Sequence, residues 1–198
     1  MAAQLDHTSA VVRGFWNPFI ITPDWLRKCG VVEGTLEPKP LPASEAPFAF
    51  ELGALRWEPG PDRLAIISTR GENCGLYAKR VLDHLPHTPI QAIGINFVYK
   101  AVIEAWPAQH LPRIGEVSLG RHGPLNLKQV RWVGLAELDA DTILNLTVSQ
   151  APREVICSFN FHRNVDDARK AAELASKWSD DRDQAARLLR NLFGVETQ

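Results

Sequence analysis

The sequence predicts an α+β protein: a mainly antiparallel sheet with helices packed on one of its faces. Three observations carry this prediction. Residues 92–100 alternate, with Ile93, Ile95, Phe97 and Tyr99 to one side and Gly94, Asn96 and Lys100 to the other, which is the period-two pattern of a long strand. Three further β-rich runs, 130–138, 142–149 and 154–161, follow in close succession, and Ala151-Pro152 marks the turn between the last two. Two other segments, one after Gly71 and one after Asn164, repeat apolar residues at helical spacing.

Taken in order, residues 10–16 are rich in β-branched and aromatic side chains and stop at Asn17-Pro18, so they form a strand. The strand is short and near a terminus, and is expected at a sheet edge. Thr22 before Pro23 supplies a capping hydroxyl and a proline suited to a first helical position, which gives a short helix from Pro23 to Cys29 closed by Gly30. Pro38, Pro40, Pro42 and Pro47 lack amide donors and favour an extended connector over 34–47. Residues 48–57 alternate around Phe48, Phe50, Leu52 and Ala54, and the turn residues 58–62 join them to 64–67 as a hairpin.

Ala78, Val81, Leu82 and Leu85 then form the apolar stripe of a helix that Pro86 ends. Residues 106–127, with Gly120, Gly123 and Pro124, read as a long loop. Past the last strand, Asn164 is positioned to cap a helix whose stripe is Val165, Ala168, Ala172 and Ala175. Ser179 interrupts that helix, and Ala185, Leu188, Leu189 and Leu192 continue it to a terminator at Gly194. One domain, 1–198, accounts for the length, and the element order divides it into pseudo-repeated halves, 1–89 and 90–198. The order apolar-Asn-Phe recurs at Ile95-Asn96-Phe97 and Phe159-Asn160-Phe161.

With 45% hydrophobic and 23% charged residues the chain has the composition of a folded domain, which excludes disordered, collagenous and coiled-coil classes. The formal net charge of −1 supplies no global basic field for phosphate backbones, so a nucleic-acid-binding module, resting on Arg121, Lys128 and Arg131, ranks third among the functional readings. The start of the chain carries Asp6 and His7 and lacks the apolar core of an export signal, and Pro86 and Pro89 break the longest uncharged stretch, so no membrane span is expected. Cys29, Cys74 and Cys157 are odd in number and widely spaced, which points to reduced thiols and a cytoplasmic location.

The hairpin after Phe48, the helix ending near Leu85, the strand Ala92-Ile93-Gly94-Ile95-Asn96-Phe97 and the later strands leading to a C-terminal helix resemble a sporadically distributed family of uncharacterised bacterial proteins. The resemblance spans 48–193 and is one of pattern and element order. Where the family pattern ends this strand in a polar-aromatic or Asn-Arg step, Asn96 is followed here by Phe97-Val98-Tyr99. The resemblance implies no established activity and no catalytic residues.

Among constellations that could carry chemistry, Asp83-His84-Leu85-Pro86-His87 has metal-ligand types, but Pro86 ends the helix between the imidazoles and no third ligand is signalled, so no metal or cofactor is expected. Asn96, Ser158, Asn160 and His162 form a polar row if their strands are neighbours, and a groove lined by them would offer His162 as a base, Asn160 as an orienting amide and Ser158 as the adjacent nucleophile. A small-molecule hydrolase is therefore the alternative reading. Cys157 and His162 fall on opposite strand faces and do not make a thiol nucleophile pair. Gly120-Arg121-His122-Gly123 offers backbone amides and a cation without a phosphate-loop signature. Trp16, Phe19 and Trp25 make the densest aromatic segment, a candidate partner surface, with Arg121 and His122 as further binding candidates. The leading expectation is a non-catalytic binding or assembly protein that contacts a protein partner or forms a homodimer through residues 15–25, with a small molecule as a second kind of ligand.

Overall fold

A computed structural model describes residues 2–33, 38–40, 48–102, 117–118, 124–125, 130–150 and 153–197. Most of the proline connector and most of the loop at 106–127, with Arg121, His122 and Lys128, lie outside these described residues. Twelve strands are described: β1 (Ala2–Gly14), β2 (Lys39–Pro40), β3 (Phe50–Leu52), β4 (Leu55–Pro59), β5 (Arg63–Ser68), β6 (Ile90–Val102), β7 (Val117–Ser118), β8 (Pro124–Leu125), β9 (Val130–Glu137), β10 (Ile143–Gln150), β11 (Glu154–Asn164) and β12 (Glu196–Thr197). The helices are α1 (Pro23–Lys28), α2 (Cys74–His84), α3 (Ala168–Ala175) and α4 (Trp178–Phe193).

The main sheet runs β2-β3-β4-β5-β1-β6-β11-β10-β9, antiparallel throughout, with β12 pairing parallel to the start of β1. The α+β class and the helices on one face are as the sequence predicts. The first half contributes β3-β4-β5-β1 and the second β9-β10-β11-β6, meeting at β1 and β6. The two apolar-Asn-Phe segments are neighbouring strands within the second half, in register at Asn160 and Asn96, so they are not equivalent positions of two halves.

β1 is not an edge. It is a thirteen-residue strand between β5 and β6. The reason lies in its helix-side residues Thr8, Ala10 and Val12, which are small enough for α2 and the α4 end to lie directly on them. The Cys74 thiol donates to the Thr8 carbonyl, and the Trp178 indole donates to the Thr8 hydroxyl at 3.1 Å. The segment at 48–57 is two strands rather than one. Gly53, with φ 65°, forms the tight turn between paired Leu52 and Leu55, and a positive φ at the first position of a two-residue hairpin loop strongly favours glycine.

Across the helix face, Phe97 meets Phe161 edge-on at 6.1 Å and Trp178 at 5.4 Å, and Tyr99 meets Phe159 at 6.0 Å, so aromatic rings from β6, β11 and α4 fill the centre of the core. α2 and α3 touch at Gly75, where an added Cβ would run into the Ala175 carbonyl. β11 extends to Asn164, so the α3 cap falls to Asp167, whose carboxylate accepts from the amides of Arg169 (2.6 Å) and Lys170 (3.0 Å). The break between α3 and α4 lies at Ser176 and Lys177, before the expected Ser179.

Arg163 on β11 is buried on the helix side and grips Asp181 in the first turn of α4 through two hydrogen bonds of 2.8 and 2.6 Å. Its Nε donates to the Thr142 hydroxyl at 3.0 Å, so one guanidinium joins β11 and the residue just before β10 to a helix. Burial pushes the Asp181 carboxyl above its ordinary value, against the pull of Arg163. Such a pair contributes little net stability when intact and is costly to break from one side. R163M is therefore expected to lose about 3–5 kcal/mol, while R163M/D181L recovers most of that loss. Urea denaturation of the three proteins checks this, and equal losses in the single and double variants would contradict it.

A polar ladder on the helix-free face

None of the described helices packs on the second face of the sheet. The residues there are set by alternation. Since Phe97, Phe159 and Leu144 face the helices, Asn96, Asn160 and Asn145 face the other way. Register places Ser9, Asn96, Asn160 and Asn145 side by side on four adjacent strands. The Asn145 amide donates to the Asn160 oxygen at 2.9 Å, the Asn160 amide to Asn96 at 2.6 Å, and the Asn96 amide to the Ser9 hydroxyl at 3.0 Å. Gly94 makes this possible, because a Cβ at that position would lie 2.8 Å from the Asn160 amide nitrogen.

The four residues of the expected polar row are thus on one face, but they do not converge. Asn96 and Asn160 bond directly. Ser158 and His162 lie two residues to either side of Asn160, so about 13 Å of strand separates them at roughly 3.3 Å per residue. Ser158 stands opposite Val98 and Thr147, and His162 Nε2 bonds the Asn164 side chain at 3.0 Å. Among the described residues no groove encloses the row. A depression of about 420 Å³ on this face is lined by Arg131, Thr147, Ser149 and Ser158, and it takes in only the last of the four.

Around the ladder the chemistry changes from one end of the sheet to the other. Toward β3 and β4 it is charged, with Arg56 donating to Glu58 at 2.7 Å. At the lower end of β1 and β6, Lys100 pairs with Asp6 at 2.9 Å. Burial raises the Asp6 carboxyl, but hydrogen bonds from Lys100 and His7 outweigh it and hold the group below the ordinary carboxylate value. Toward β9 it is apolar, with Val133 64% and Leu135 72% exposed beside Ile143.

No known family model matches the chain, and no curated protein is similar to it. The site must therefore be judged on its own residues.

The remaining candidates separate clearly. Trp16 is only 6% exposed and its indole donates to the Val12 carbonyl at 3.1 Å, so it fills the core and cannot serve as a partner anchor. Phe19 is exposed and meets Phe48 edge-on at 4.9 Å, Trp25 is half-buried against His84, and Phe15 is the other exposed ring of the segment. His84 and His87 are exposed at the end of α2, and no group of three metal-ligating side chains occurs among the described residues. Cys157 is buried on the helix face, opposite His162, as alternation requires.

Sequence reading missed Ser9, Asn145 and Gly94 as parts of the row. The alternation of Asn145, Thr147 and Ser149 was a usable signal for β10, whereas Ser9 becomes a member only through the central placement of β1.

Two outcomes follow from this geometry. G94A displaces the Asn160 amide, leaving the Asn96 oxygen and the Asn145 amide without their ladder partner, and is expected to cost about 1–3 kcal/mol in urea denaturation. An unchanged midpoint would show that the ladder adapts freely. Burial pushes the Cys74 and Cys157 thiols up to about 12, so both stay protonated near pH 8. A thiol reagent should titrate only half-buried Cys29 in the folded protein and all three cysteines after unfolding; rapid native labelling of Cys157 would contradict this.

Proposed function

We propose that the chain is a non-catalytic cytoplasmic binding or assembly protein that engages its partner through exposed apolar and aromatic surface. The observation that carries this reading is the ladder itself. Its three asparagines and Ser9 bond one another across four strands, and the expected base and nucleophile beside it, His162 and Ser158, are held apart by the strand that bears both. A hydrolase arrangement needs the base within hydrogen-bond reach of its nucleophile, and His162 and Ser158 do not meet that condition.

The thiols support the same reading, since Cys74 and Cys157 are buried and protonated and therefore poor nucleophiles. Three free cysteines fit a reducing compartment. No described helix is long and apolar enough to cross a membrane. The contact expected over 15–25 narrows to Phe15 and Phe19, because Trp16 is part of the core.

Assay of purified wild-type protein beside H162A on ester, amide and phosphoester substrates tests the reading. Equal background rates are expected. Turnover by the wild type that H162A abolishes would overturn the non-catalytic assignment.

A further inference from the structure

β9 ends the strand order of the sheet, and among the described residues it has β10 as its only neighbour. An eight-residue terminal strand presents unpaired amides and carbonyls along one side, and proteins usually blunt such an edge with proline, lysine or shortness. The strand at the opposite end of the order, β2, has two residues, Lys39 and Pro40, and is blunted in that way. β9 is not.

Its sequence on the helix-free face reads Arg131, Val133, Leu135, Glu137, all exposed. This order is self-complementary. Placed antiparallel against its own copy with Gly134 opposite Gly134, β9 sets Arg131 against Glu137 and Val133 against Leu135, and each match occurs twice because the arrangement is two-fold symmetric. Opposed side chains in an antiparallel pair lie on the same face, about 4.5–5.5 Å apart, so the ion pairs and apolar contacts form on one surface. Neither Arg131 nor Glu137 has an ion-pair partner among the described residues of its own chain.

Gly134 supplies a second, independent indication. A glycine inside a strand weakens it and often marks a close backbone approach. Among the described residues nothing requires glycine there, since an added Cβ would meet only the Leu146 carbonyl oxygen, at 4.0 Å. This position, with no reason for glycine among the described residues, is the one at the symmetry axis of the proposed pairing.

We infer that two copies of this chain pair antiparallel along β9 about an axis at Gly134, joining their sheets into one with the helices of both copies on the same side. This inference rests on the reading of the chain as an assembly protein and names the partner as a second copy. The polar ladder of each copy then leads, through Leu135 and Val133 of the other, to Thr147 and Ser158 of that copy, so the helix-free face becomes continuous across the dimer.

Sedimentation and light scattering of the full chain at concentrations up to about 100 μM test the pairing. A dimer is expected for the wild type. R131E and E137R each bring like charges together at both ends of the strand pair and should raise the dissociation constant about tenfold or more, whereas R131E/E137R restores opposite charges and should return it to near the wild-type value. Both substituted positions are exposed, and circular dichroism of each variant confirms that the fold is kept. A monomeric wild type, a dimer indifferent to either reversal, or a double variant that does not recover would overturn the inference. A monomer leaves the non-catalytic reading standing for a different partner, while His162-dependent turnover would remove that reading and leave the dimer measurement unaffected.

Discussion

The pairing of β6 with β1 on one side and β11 on the other is the constraint on which the rest of the molecule depends. Side chains alternate along a strand, so this register decides at once that Phe97, Phe159 and Phe161 meet the helices and that Ser9, Asn96 and Asn160 do not. A slip of one residue would put asparagine beneath Trp178 and phenylalanine on the open face. The hydrophobic penalty for such a slip is large, and the amide ladder adds a directional one, because its hydrogen bonds exist only when Asn96 stands opposite Asn160 and Asn160 opposite Asn145. Gly94 belongs to the same device, since it leaves the space that the Asn160 amide occupies.

The helix layer is fitted to that register by small residues. Thr8 and Ala10 on β1 admit α2, and Gly75 admits the α3 backbone at a distance no side chain would tolerate. The angle of α4 is then fixed by polar contacts that burial makes demanding: Trp178 to Thr8 at its start, and Asp181 to Arg163 one turn on. A desolvated, bidentate pair of this kind contributes more to a single geometry than to net stability, because each misplacement strands a charge in the core.

Most of this fold was legible because its elements have strong periodicity. The long strand at 93–99, the three late strands and both amphipathic helices follow directly from alternation or helical spacing. What was not legible depends on tertiary contact. Nothing local distinguishes a short terminal strand at an edge from the middle of a sheet, and β1 is central because its small residues lie under helices far away in sequence. Local alternation continued through Gly53, where one positive φ turns the chain back. Asn164 was a reasonable cap by type, but strand pairing with Ala92 holds it in β11 and leaves the cap to Asp167. For the candidate site, the face of Asn96, Ser158, Asn160 and His162 could be read from alternation, whereas their lack of convergence could not, because convergence depends on neighbouring strands and on the fixed rise along one strand.

The chemistry of the helix-free face changes in one direction, and this change bears on what the face can do. At the β3 and β4 end Arg56 and Arg63 are already paired with Glu58. At its centre the amides bond one another. Binding there would require a ligand to displace interactions at least as good as those it offers, which the desolvation of polar groups makes unfavourable. At the β9 end, Val133 and Leu135 are exposed beside Arg131 and Glu137, along a strand that has β10 as its one neighbour among the described residues. A contact made there releases water from Val133 and Leu135 and completes a hydrogen-bond ladder without breaking one. The polar centre therefore serves to hold the register of the sheet, and the free energy available for association is concentrated at its apolar end.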